Sequence, residues 1–217
     1  MNYLDFENVL SIPRIGRYKS TCGGDEQKSL ELYLLNVELS KDFYALLGLF
    51  EIALRNAVNK HYKEVFSDED WIINQERKGF FPPERKNISA EYSKLAITNS
   101  YTHGKLIAAL TFGVWTEMFS THCFGRGGRT LLKIFPNRPK GVNQKIIHKE
   151  LKEIKTFRNK LAHHEPICFV ENKISCEYAE NILEKTLKYF AFLGVPENVL
   201  CKFNKTESNL QKLKAFN

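Results

Sequence analysis

The stretch VNQKIIHKELKEIKTFRNKLAHHEP, residues 142–166, decides the fold. Ile147, Leu151, Ile154, position 158 and Leu161 are spaced 4, 3, 4 and 3 residues apart. That period lines one face of an α-helix, so a helix over 142–163 with a core-facing seam is predicted. Position 158 of the seam is Arg158, a permanent cation where an apolar side chain is expected. A guanidinium there requires an acidic partner, a route to solvent or an anionic ligand. Asn159 comes after it, and His163 lies one turn beyond Asn159 on the same face. His164 and Glu165 come next, and Pro166 turns Glu165 away from helical geometry.

Working outward, the pattern over 27–66 is helical and reads as two helices meeting near Ser40. Its second half, FYALLGLFEIAL at 43–54, carries one charge in twelve residues, which describes a central helix surrounded by others. The charge is Glu51, expected to be buried and to need a cation. Arg55 is the local one at i, i+4 and Arg158 the distant one. Asn56 adjoins Arg55, and His61 lies six positions after it. Further helices are predicted over 89–98, 105–120 and 175–193, the last ended by Gly194 and Pro196. Residues 11–26 read as a loop with three basic residues, 67–88 as a long connection containing Pro82-Pro83, and 121–141 as a basic, glycine-containing excursion. Ile167–Ile174 is the one strand candidate. The class is all-α, in one domain spanning 1–217. Its core runs from about 27 to 193, between a basic N-terminal region (1–26) and a Lys-rich tail (194–217).

The 217 residues carry 32 Lys+Arg against 25 Asp+Glu, a net charge of +7, and 43% of them are apolar. Such an apolar fraction excludes wholesale disorder and collagen-like chains. The acidic opening Met1–Glu7 is unlike a secretory leader. The most apolar stretch, 106–125, is interrupted by Glu117 and falls short of a membrane span. Five cysteines without framework spacing are expected as reduced thiols. A cytoplasmic protein without membrane contact is the expectation. No Cys or His pair has zinc-site spacing, so neither a metal nor a cofactor is expected.

The Arg158 cluster admits two readings. In one, Arg158 pairs with a buried carboxylate and the histidines cap the helix C-terminus, where cations are favoured. In the other the cluster is catalytic. An Arg fork matches phosphate oxygens, an imidazole moves protons near neutrality, and Asn orients an imidazole or holds a sugar hydroxyl. Those groups suit metal-free RNA cleavage by the substrate's own 2′-hydroxyl, with His164 or a second copy's His163 as the second proton carrier. Arg126, Arg129, Lys133 and Arg138 in the basic excursion could track an RNA backbone. The aromatic residues Trp71, Phe80 and Phe81 could stack on bases, with Phe80-Phe81 as a candidate lid, whereas Trp115 reads as core.

At these residues the chain resembles the Abi-like (abortive infection) proteins, a branch of the HEPN superfamily of helical ribonucleases. Five segments carry the likeness in order over about residues 9–167: RIGRY (14–18), LYLLN with LS (32–40), EIALRN (51–56), LTFGVW (110–115) and FRNKLAHHEPI (157–167). Leu35 departs from the family, which often has Trp there. The resemblance implies a HEPN-like helical bundle, often a homodimer, that cleaves RNA without metal through its Arg-x4–6-His motif. Arg158 and His163 are then the motif pair and Asn159 its polar member, with Glu51, Arg55 and Asn56 nearby; Arg55-x5-His61 also fits the spacing. The functional expectation is an abortive-infection endoribonuclease in anti-phage defence, its control by a protein or RNA antitoxin left open. The alternative is a non-catalytic HEPN module that binds RNA or protein.

Overall fold

The computed structural model describes residues 3–81, 84–201 and 205–216. Pro82-Pro83 and residues 202–204 of the Lys-rich tail therefore lie outside the described residues. The helices are α1 (Tyr3–Leu10), α2 (Ile12–Thr21), α3 (Glu26–Phe66), α4 (Trp71–Arg77), α5 (Arg85–Ile97), α6 (His103–Ala109), α7 (Phe112–Glu117), α8 (Thr121–Arg126), α9 (Gln144–Ala162), α10 (Glu177–Leu193), α11 (Glu197–Leu200) and α12 (Thr206–Lys214). A 3₁₀ turn covers Leu131–Ile134. The strands β1 (Phe169–Val170) and β2 (Lys173–Ile174) form an antiparallel hairpin with Phe169 opposite Ile174. The fold is all-α, as the sequence pattern requires. Among the described residues no helix is long and apolar enough to cross a membrane.

The chain divides into two compact units. The first comprises the described residues of 1–47, 157–184 and 197–217. Its interior joins Phe43 to Phe157, edge to face with centroids 4.9 Å apart, and Phe157 to Tyr178 at 5.3 Å. Tyr18 meets Tyr33 at 5.3 Å and Phe169 at 5.0 Å. Helix α12 buries Leu210 and Leu213, and its Asn209 donates to Asp42 Oδ2 at 2.6 Å. The second unit comprises 48–156 and 185–196. Its aromatic centre includes Phe50 against Phe190 at 5.3 Å and Tyr62 against Trp71 at 4.9 Å. Ion pairs fasten Glu150 to Lys188 (2.7 Å) and Glu153 to Lys185 (2.5 Å).

Several elements differ from the sequence reading. Residues 12–21 are helical, with Pro13 in the first turn, where its missing N–H is not needed. Helix α3 runs for 41 residues without a joint. Ser40 stays within it by donating its hydroxyl to the Asn36 carbonyl at 2.7 Å. The apolar 43–54 segment is not enclosed on all sides, since Tyr44 is 55% and Ile52 43% exposed. Helix α5 starts at Arg85, and Ser89 lies inside it, donating to Glu76 at 3.3 Å. The expected 105–120 helix is two, parted where Leu110 and Thr111 are extended. Trp71, Phe80 and Phe81 are core residues, at most 1% exposed, so they offer no face to bases and Phe80-Phe81 forms no lid. Trp115 is core, as read.

Candidate active site

The seam of α9 is completed by Phe157 rather than by position 158. Ile147, Leu151, Ile154 and Phe157 are fully buried and Leu161 is nearly so. Arg158 sits beside this seam, half-buried, and is not sealed from solvent. Asn159, His163 and His164 are exposed. All four belong to the first unit, at the C-terminal end of α9.

The end of α9 is closed by a pair of main-chain bonds. The Glu165 N–H donates to the Lys160 carbonyl at 2.9 Å, and the His164 N–H to the Leu161 carbonyl at 3.0 Å. This is the Schellman arrangement, in which His164 occupies the left-handed position that glycine usually fills. Its φ is +55°. The apolar contact that normally accompanies the motif is replaced by an ion pair, Lys160 to Glu165 at 3.8 Å. His163 keeps its helical bond to the Asn159 carbonyl at 3.0 Å. The capping role read for the histidines is therefore filled by their backbone, which leaves both imidazoles at the surface.

The RIGRY segment braces the chain just past this cap, from His164 to Glu171. Arg14 donates to the His164 carbonyl and Arg17 to the Glu171 carbonyl. The Arg17 guanidinium also lies over the Phe169 ring, 4.5 Å from its centroid. Tyr18 is buried against Phe169 and hydrogen-bonds Cys168, whose thiol burial pushes up to about 12. Asn36 completes the brace by accepting the buried Ile167 N–H at 2.9 Å through Oδ1. Sequence reasoning gave Arg14, Arg17 and Asn36 no role at the site. Their only signal was that RIGRY and LYLLN are among the segments that carry the resemblance, with the HHEPI string.

A cavity of about 840 Å³ opens within the first unit. Its walls come from α1, α2, α3 and the end of α9, and they include Arg14, Tyr33, Ser40, Lys41, Tyr44 and His164. Leu161 and Ala162 also line it. Arg158 lies one turn before Ala162 on α9, hence on the same side of that helix. His164, rather than His163, faces the cavity.

The other residues singled out in the sequence lie in the second unit. Glu51 and Arg55 stand one turn apart on α3, both half-buried rather than fully enclosed, and Asn56 is exposed. Arg55 Nε is buried and has no hydrogen-bond partner among the described residues. His61 Nε2 lies 2.9 Å from Thr130 Oγ1, whose proton goes to the Gly127 carbonyl at 3.1 Å. The imidazole is thus the donor, and its burial lowers its pKa. In the basic excursion, Arg126 donates to the Lys78 carbonyl at 2.6 Å and Arg138 to the Pro139 carbonyl at 3.2 Å and the Val142 carbonyl. Both guanidinia therefore help tie the loop down, while Arg129 and Lys133 are exposed. Glycine is required at 127, because a Cβ there would overlap the Tyr62 hydroxyl. Among the described residues no group of three His, Cys, Asp or Glu side chains could hold a metal ion.

Fold and site together define an all-α protein with an Arg–Asn–His–His cluster at a helix end. The chain matches the family model described as Abi-like protein over residues 4–168, and it belongs to that family. The match takes in every wall of the cavity and stops just before the β1–β2 hairpin. Membership points to abortive-infection defence. No curated protein and no solved structure matches the chain.

Proposed function

We propose that the chain is a metal-independent endoribonuclease of the abortive-infection type, HEPN-like in fold, acting on RNA in the cytoplasm as a homodimer. An antitoxin, protein or RNA, would restrain it. The reading is carried by one observation: two exposed imidazoles, His163 and His164, adjoin Asn159 and a half-buried Arg158 at one helix end.

In the proposed reaction one imidazole takes the proton of the ribose 2′-hydroxyl. The 2′-oxygen attacks phosphorus and the P–O5′ bond breaks. The second imidazole, charged beforehand, gives its proton to the departing 5′-oxygen, leaving a 2′,3′-cyclic phosphate and a 5′-hydroxyl. Arg158 neutralises charge as it gathers on the phosphorane oxygens. Asn159 holds the ribose or orients His163, one turn away. In the second unit, which also holds Glu51, Arg55 and Asn56, Arg129 and Lys133, with what remains of Arg126 and Arg138, are the proposed contacts to the RNA backbone.

Incubation of single-stranded RNA with the protein in excess EDTA tests this. Cyclic-phosphate ends are expected. Arg158→Ala, His163→Ala and His164→Ala should each lower the rate by about 10²-fold or more, with helicity unchanged. RNA that is bound but stays intact would mark the chain as a non-catalytic module that grips RNA or protein.

A further inference from the structure

The wall that α3 gives the cavity has helical spacing. Tyr33, Val37 and Tyr44, with Ser40 and Lys41 side by side between the last two, follow steps of three or four residues, so they share one face as a ladder. From Tyr33 to Tyr44 the helix rises about 16 Å. The ladder runs aromatic, aliphatic, polar, cationic, aromatic. Tyr44 is 55% exposed although it lines a cavity, which leaves its ring available for stacking. Lys41 is exposed and pairs with Glu38, an exposed ion pair weak enough for an anion to displace. Arg14 and His164 line the same cavity. Arg14 gives one N–H to the His164 carbonyl, and a guanidinium has five to give.

We propose that this cavity seats a nucleotide of single-stranded RNA, its base on Tyr44 and its phosphate between Lys41 and Arg14, beside the His164 imidazole. The proposal rests on the endoribonuclease reading and names the substrate class that reading leaves open. An aromatic face next to cations is the pattern that holds single strands with little sequence preference. A duplex keeps its bases stacked inside and cannot offer one to a ring set in a cavity wall. A volume of about 840 Å³ holds a nucleotide but no length of A-form helix.

The test is binding of a fluorescein-labelled 12-nucleotide RNA, 2′-O-methyl at every sugar so that it cannot be cleaved, single-stranded or annealed to its complement. Tyr44→Ala and Lys41→Ala alter exposed side chains, and an unchanged melting temperature checks that both fold. Each is expected to weaken the single strand by about tenfold. Lys41→Ala should also reduce the salt dependence of binding by about 0.7 in slope. The duplex is expected to bind weakly and alike to all three proteins. If both variants bind the single strand as the wild type does, or if the duplex binds as tightly as the single strand, the nucleotide seat is wrong. Cleavage of ordinary RNA in EDTA would then still stand on its own. If instead the variants lose binding while the wild type never cleaves, the seat stands and the nuclease reading falls.

Discussion

A histidine in the left-handed region carries a cost that glycine in the same position does not. A side chain there brings Cβ against the main chain, at roughly 1–2 kcal/mol, and His164 holds that conformation where a Schellman cap favours glycine. Substitution by glycine keeps the Arg14 bond, which ends on the main-chain oxygen. His164→Gly is therefore expected to raise stability by about 1 kcal/mol, a gain of about 2–4 °C in melting temperature, and to abolish RNA cleavage. Calorimetry and the cleavage assay read the two effects separately. A variant that is less stable, or equally active, would remove the assigned strain or the assigned role. This residue also shows what was legible in the sequence. Arg158, Asn159, His163 and His164 stood out by type and spacing. That Phe157 fills the seam was not legible, because a stripe at 3.5-residue spacing admits either neighbour until packing chooses the aromatic ring against Phe43.

At the scale of elements, α2 and the first half of α3 hold the segment after α9 in place. Asn36 is 6% exposed, and its Oδ1 is the acceptor for the buried Ile167 N–H. Asn36→Ala leaves that amide without a partner, at a cost of about 1–3 kcal/mol. The melting temperature should fall by about 2–12 °C, with exchange of the Ile167 amide speeded more than that of amides inside α9. Equal speeding throughout would mean that Asn36 supports the fold and not this segment. The sequence concealed α2 because Pro13 and Gly16 read as breakers. Proline is harmless in a first turn, and a mid-helix glycine costs only about 1 kcal/mol, less than burying Ile15 and Tyr18 returns. The break between α6 and α7 was concealed for the opposite reason, since no Pro or Gly stands at Leu110-Thr111. Helix α9, by contrast, was read to within two residues of its bounds, because its charged face and apolar face are cleanly divided.

Across the whole molecule, the half-buried histidines are unevenly shared. His61, His103 and His148 all lie in the second unit, and burial lowers the pKa of each below the ordinary 6.5. The unfolded chain then binds these protons first as the pH falls, so folded stability is lost below about pH 6.5 as pH drops toward the lowered values. The histidines at the end of α9 are exposed. Hydrogen exchange compared at pH 7.5 and 5.5, corrected for intrinsic rates, should show the second unit loosening more than the first. Equal loosening would refute the assignment.

The guanidinium of Arg14 and the carbonyl of His164 are 150 residues apart in the chain. Synthesis proceeds at about 5–20 residues per second, so α2 waits roughly 8–30 s for the residues it clasps. Through that interval α2 has only its early neighbours, α1 and Tyr33 of α3, to pack against. The proposed seat therefore comes into being only once residue 164 has been made, well after its α2 wall.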